Sequence, residues 1–365
     1  MKKVLEVILA LILSLGLPAS VAAASPDHTQ QVRLYGNTRY ETAINIEDEL
    51  AKRHNIDFST GQKFENVVLA SGNNFPDALA GAPLANQVGA PILLVDSTPE
   101  ASAVTLNYIQ EHVKMSGNVY LLGGTGVIPN SFTQKLASMG FSVQNIQQLG
   151  GKDRNETSLI ISKQIKNSGK KVFLVSDSNF TDALTIAPSA VANDAPILLV
   201  ADTGLTSDQK AFCDLQKTAF TLGEIEKNIN SIYPKAVKGY LGSNKYDTNG
   251  SWASFIGRDE AFICLATGED YPDALAGAVL AGSLGGGAIF LTRPDELPPE
   301  TVKALNITSY YDKQVVTDTN SLGQTVSYPS IGYPTLFILG GSGAVSASVQ
   351  AQAAAILDGP GYSGK

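Results

Sequence analysis

Three carboxylates stand in near-identical surroundings: Asp77 in NFPDALAG, Asp182 in NFTDALTI and Asp273 in DYPDALAG. Each follows an aromatic residue, Phe75, Phe180 or Tyr271, and opens an alanine-rich run. Such a carboxylate can accept sugar hydroxyls while the ring offers its face to a pyranose. It can equally well only complement the positive end of a helix, a contribution of about 0.3–1 kcal/mol. A second set recurs upstream of each copy. Arg39, Arg154 and Lys245 each precede an acid by two places (Glu41, Glu156, Asp247), and Thr42, Thr157 and Thr248 follow. These cations could grip an anionic polymer, or they could form ion pairs and helix caps that join modules. Both readings stay open at this level.

The elements that carry these residues alternate. An apolar run (Val67 to Ala70, Val172 to Val175, Phe262 to Leu265) precedes each aromatic–Asp motif. APILLV, APILLV again and GAIFLT follow, and then YLLGG, FTLGE and FILGG. Four marks in one order, three times over, make a triplicated unit. The first copy reads strand (Val32 to Tyr35), helix from about Thr42, strand (Val67 to Ala70), helix from Pro76, strand (Ile92 to Val95), helix, strand (Val119 to Leu122), helix. Continuous apolar strands are buried on both faces, which predicts an α/β fold of mostly parallel sheets with helices on each side. Three leading strands, near Val32, Val143 and Val237, begin the units. Because consecutive elements usually pair locally, each is assigned to its own unit. The alternative lends each strand to the preceding unit, with the first closing onto the third to make a ring.

The predicted organisation is a secretory signal peptide over 1–24 and modules at 31–142, 143–235 and 236–357. The third carries a Tyr/Ser/Thr/Gly-rich insertion at about 308–334. Lys2 and Lys3, an apolar stretch too short to span a bilayer and a small-residue tail give the leader its character, and no membrane insertion is expected after cleavage. A net charge of −8 without a Lys/Arg cluster argues against a nucleic-acid partner. Cys213 and Cys264 read as buried free thiols. The three histidines have no partner at metal-ligand spacing, so no metal and no cofactor are expected. Nor does any catalytic signature occur, such as G-x-S-x-G or H-E-x-x-H. The turn Gly123-Gly124-Thr125-Gly126 matches neither phosphate-binding fingerprint and reads as a tight strand-to-helix turn.

Together, R-Y-E-T, N-F-P-D-A-L-A, A-P-I-L-L and L-L-G-G resemble the cell wall binding repeat 2 family of Gram-positive surface and autolysin-associated proteins. The resemblance covers about Gln31 to Leu357. It implies three Toprim-like modules packed as a pseudo-trimer and non-covalent attachment to an anionic cell-wall glycopolymer, with a surface-layer or autolysin partner. The chain departs from the pattern at Lys245 in place of Arg, Glu224 in place of the second Gly of L-G-G, and Gly287-Ala288 in place of Ala-Pro. The expected function is therefore secreted, cell-surface anchoring without catalysis, since a weak site repeated in a rigid frame gains avidity toward a repeating ligand. The alternative is a peptidoglycan-acting enzyme or autolysin modifier built on paired carboxylates. A third reading makes the insertion an adhesive loop mounted on the modules.

Overall fold

A computed structural model describes residues 28–73, 76–166, 169–256, 262–283, 287–312, 316–319, 325–328 and 333–359. The expected leader and Phe75 lie outside them, as do the side chains of Asp77 and of residues 310–328. The first turn of the pattern runs β1 (Gln30–Leu34), α1 (Arg39–Arg53), β2 (Val67–Ser71), α2 (Pro76–Gln87), β3 (Ile92–Val95), α3 (Ala103–His112), β4 (Val119–Leu122) and α4 (Asn130–Ser138). The second runs β5 (Ile146–Leu149), α5 (Arg154–Gln164), β6 (Lys171–Ser176), α6 (Phe180–Ala192), β7 (Ile197–Val200), α7 (Ser207–Asp214), β8 (Thr218–Thr221) and α8 (Ile229–Ile232). The third comprises β9 (Val237–Lys238), α9 (Lys245–Ile256), β10 (Phe262–Thr267), α10 (Pro272–Ser283), β11 (Ala288–Thr292) and α11 (Pro299–Asp312). It ends with a hairpin of β12 (Val316–Thr319) and β13 (Thr325–Tyr328), then β14 (Thr335–Leu339) and α12 (Ala347–Asp358). The segment expected as an insertion from Thr308 thus begins as the end of α11.

Three four-stranded parallel sheets result, in the orders β3-β2-β4-β5, β7-β6-β8-β9 and β11-β10-β14-β1. This overturns the assignment of each leading strand to its own unit. β5 completes the first sheet and β9 the second, while β1 crosses the whole chain to pair with β14, Leu34 opposite Leu339. The helix after each leading strand nonetheless stays with its own unit, so the chain passes from one sheet to the next at the R-x-E-T string. Ring closure is reinforced at the side chains. Arg33 donates to the Gly340 carbonyl (2.9 Å) and to Gln350 (2.6 Å), and the Thr29 N–H donates to the Asp358 carboxylate (2.6 Å).

Strands β3, β7 and β11 form the opposite edge of each sheet, where unpaired N–H and C=O groups must be satisfied or covered. Helices α1, α5 and α9 bring polar side chains to them. Glu47 accepts from the Ile92 N–H (2.9 Å), Ser158 from Leu199 (3.1 Å) and Asn249 from Leu291 (2.8 Å). Thr105, Gln209 and Thr301 donate in turn to the Leu94, Leu199 and Leu291 carbonyls (2.7, 2.8 and 2.7 Å). Burial holds the carboxyl of the fully buried Glu47 well above the usual carboxylate range, with the Ile92 N–H bond opposing.

The motif helices α2, α6 and α10 gather at the centre, where one apolar core joins all three sheets; three smaller cores lie on their outer faces. Leu79, Leu184 and Leu275 of the Asp-Ala-Leu triplets are fully buried there. Truncating any of them to alanine would cost about 2–5 kcal/mol. At Gly81 and Gly277 the helix lies so close to its sheet that a Cβ would stand 2.1 Å from Leu122 or Leu339. Both cysteines are free and buried, in different cores, as the sequence leads one to expect.

Candidate functional site

Each R-x-E-T string opens a helix at the carboxyl end of a sheet, where open α/β sheets bind ligands. Its acid turns inward on its own backbone. Glu41 accepts from the N–H groups of Asn37 (2.6 Å) and Thr38 (3.1 Å), Glu156 from Lys152 (2.8 Å) and Asp247 from Ser243 (2.9 Å). With the N-cap side chains Thr38, Asp153 and Asn244, these bonds satisfy helix N–H donors and contribute about 1 kcal/mol per cap. Thr42, Thr157 and Thr248, all buried, accept from the N–H of Gly36 (3.0 Å), Gly151 (3.0 Å) and Gly242 (2.9 Å). Those glycines are required. A Cβ at Gly36 would stand 2.2 Å from Glu41, and one at Gly151 2.6 Å from Glu156.

The cations reach across to the turn before the aromatic. Arg39 donates to the Gly72 carbonyl (2.5 Å), Arg154 to Asp177 (2.7 Å) and Lys245 to Gly268 (2.8 Å), three equivalent positions. The Arg39 fork has a second arm for Asp270 of the third unit, 3.6 Å away, while the Lys245 ammonium pairs with Glu269 at 3.1 Å. Phe180 and Tyr271 are partly buried and pack against the central core. Phe180 meets Tyr271 edge-on, with centroids 6.1 Å apart, and the Tyr271 hydroxyl donates to the Gly72 carbonyl (3.2 Å).

Among the carboxylates, Asp182 is 2 % exposed and accepts from the Glu224 N–H (2.8 Å), so the Glu that replaces glycine closes over it. Burial lifts its carboxyl to about 6. Asp273 rises to about 6 as well, from burial first and the neighbouring Asp270 charge second, with Arg39 opposing. It lines an open cleft of about 400 Å3 between the third sheet and the start of α1. Arg39, Thr42, Glu269 and Asp270 share that cleft with the Gly341–Ala344 turn. The corresponding cleft between the first and second sheets, about 410 Å3, is lined by Gly124, Gly126, Val127, Lys152, Asp153, Arg154 and Thr157.

The structure therefore brings the R-x-E-T string of one unit beside the glycine turn of the preceding one. At the 3–1 seam Asp273 joins them directly. Lys152, Glu269 and Asp270 were missed by sequence reasoning. They sit at motif edges where the three copies differ, and only the crossing of the chain between sheets reveals that they share clefts.

The three equivalent units correspond to three matches to one known family: cell wall binding domain 2 (CWB2) matches residues 33–133, 148–228 and 240–350. The chain belongs to this family. It is 26% identical over 338 residues to the N-acetylmuramoyl-L-alanine amidase LytC of Bacillus subtilis (strain 168), covering 90% of this chain and 64% of the amidase. To the Amidase enhancer of the same organism it is 26% identical over 300 residues, 80% of this chain and 39% of that protein. The solved structure of Cwp8 from Clostridium difficile shares the fold with a TM-score of 0.73 at 23% identity, over 90% of this chain and 52% of that one. Cwp6 from the same organism gives 0.71 at 21% identity, over 90% and 48%. The chain thus spans about half the length of those structures and less than two thirds of the two Bacillus relatives.

Proposed function

We propose that this CWB2 protein is secreted and anchors non-covalently to an anionic glycopolymer of the cell wall, gripping it in the clefts at the seams between units. One observation carries the reading: the same cleft frame is rebuilt at successive seams from residues of two units, with a cation fixed at each. Arg154 and Lys152 outnumber Asp153 at the 1–2 seam and make it the favoured seat for a phosphate or carboxylate. Several modest contacts on a rigid ring add up against a repeating ligand. Binding rather than catalysis is also supported by the carboxylates themselves, since Glu41, Glu156, Asp247 and Asp182 are committed to backbone N–H groups. The relatives' names, an amidase and an amidase enhancer, fit a chain that brings autolysin-type or surface-layer proteins to the wall.

Sedimentation with purified walls, before and after acid extraction of their secondary polymers, tests this. Retention by intact walls and loss on extracted ones is expected, weakened in Arg154→Ala with Lys152→Ala. Equal retention on both preparations overturns it. The enzyme reading keeps one foothold, the raised Asp273 carboxyl beside Asp270 in an open cleft. A zymogram with a clearing zone that disappears in Asp273→Asn would move the function there.

A further inference from the structure

The seam between the second and third sheets is built differently. At the other two, the Gly123 and Gly340 N–H groups bond to the Leu149 and Leu34 carbonyls, and the strands continue in step. Here Gly223 bonds to the Tyr240 carbonyl, but the Thr221 carbonyl accepts from Gly239, so Gly239 and Tyr240 together oppose Leu222. This is a β-bulge, one residue extra in the leading strand. A Cβ at Gly239 would lie 2.2 Å from the Thr221 oxygen, which restricts the position to glycine. Beyond the bulge the pairing is displaced by one: Phe220 faces Val237, eight residues before Lys245. Tyr120 and Phe337 face Gln147 and Val32, seven before Arg154 and Arg39.

A groove of about 400 Å3 opens beside the bulge, lined by Phe220, Lys238, Tyr240, Ser251, Trp252 and Phe255. Helix α9 supplies Trp252 and Phe255 where α5 has Ile161 and Gln164 and α1 has Ile46 and Glu49. The Trp252 indole N–H donates to Ser189 of the second unit (3.1 Å), which fixes its ring, and the Phe255 ring tilts 44° to it at 6.0 Å. Phe255 is 62% exposed and Tyr240 40%. Aromatic side chains around a concavity, Trp252 among them fixed by its hydrogen bond, with Lys238 the one cation among the described lining residues, are the complement of a sugar ring: C–H faces lie on the rings, and Lys238 answers a negative substituent. A peptide strand finds little purchase, because β9 has two strand residues before the bulge interrupts its ladder.

We propose that this groove is a subsite for a pyranose ring bearing a carboxylate or phosphate. The proposal rests on the wall-anchoring reading only for the source of that ring, a sugar of the wall, which would give the third seam a contact by stacking rather than by charge alone.

Trp252 is the only tryptophan in the chain, so its emission reports on the groove directly. The full chain is titrated with N-acetylglucosamine, with N-acetylmuramic acid, which adds a carboxylate to the same ring, and with N-acetylglucosamine 6-phosphate, which adds a phosphate. A saturable emission change is expected, with the acidic sugars binding about threefold tighter than the neutral one. Phe255→Ala should weaken binding about tenfold, and Lys238→Gln should bring the acidic sugars down to the neutral value. Because Phe255 is mostly exposed, unchanged thermal unfolding of the variant checks that the fold survives. No saturable change with any sugar, or a response that survives Phe255→Ala, overturns the proposal. So does an emission that depends on protein concentration without sugar, which would make the groove an interface between copies. Wall retention without a tryptophan response removes only the groove; a response without wall retention removes only the anchoring.

Discussion

The 3–1 and 1–2 seams share one frame and differ in charge. Both have an arginine clamped to a backbone carbonyl, an acid folded back as a cap and a threonine holding a glycine N–H. Around the first stand Glu269, Asp270 and Asp273; around the second, Lys152 and Asp153. The repeated motif is therefore mainly architecture, and the residues that differ between copies set what each cleft prefers. The contrast also separates two roles for a cation. Arg39 is tied at both arms, to Gly72 and Asp270, across a seam that the chain closes from its far ends. Arg154 is clamped to Asp177 within its own unit, beside a seam that is contiguous in sequence.

The largest expected effect tests whether the frames are equal. Gly36→Ala and Gly151→Ala each force a Cβ into the helix start and should lose about 1–3 kcal/mol, read from urea midpoints. A mild Gly36→Ala beside a severe Gly151→Ala would show that β1 sits loosely in the ring. Next, the two arginines should rank in opposite orders by two measurements. Arg39→Ala should cost more stability, about 0.5–1.5 kcal/mol in thermal unfolding, whereas Arg154→Ala should cost more wall retention. The same order in both assays would merge the roles that the structure separates.

A smaller effect concerns pH. The Asp273 carboxyl titrates near 6, so below that value the 3–1 cleft loses a negative charge and should hold an anionic polymer a few-fold better. Retention measured between pH 5 and 7.5 should fall as pH rises, and Asp273→Asn should flatten the curve. The smallest effect lies away from both clefts. Glu47 has a folded pKa above its unfolded one, so its contribution to stability is full at low pH and is lost as pH rises through the folded value. Glu47→Gln should match the parent in acid and exceed it in alkali. A parallel pH dependence of the two melting temperatures would rule out Glu47 as the cause.

Much of this was legible in the residues. Three copies of four marks gave the three sheets, and Pro76, Val67 and Ile92 open their elements where the pattern places them. The exchange of leading strands was not legible. Two of the deciding bonds, Gly123 to Leu149 and Gly223 to Tyr240, join consecutive strands and satisfy the local prior as well as the rejected pairing did; the third, Gly340 to Leu34, joins opposite ends of the ring, for which no local signal exists. Nor could composition tell a helix cap from a ligand group, because both use Glu and Thr at a helix start. The I-L-L strands were read as buried. That their free edge needs Glu47, Ser158 and Asn249 appears only when α1, α5 and α9 lie beside them.

The bond from Thr29 to Asp358 has a topological consequence. Because the first and last elements of the ring meet at paired β1 and β14, a short linker from Asp358 to Thr29 would close the backbone of the ring, and a new start could be cut elsewhere. A circular permutant opened in the exposed 142–144 stretch before β5 should assemble the same three-sheet ring. Its former ends would become an ordinary loop, and the order in which the units are strung would cease to matter to the shape they make.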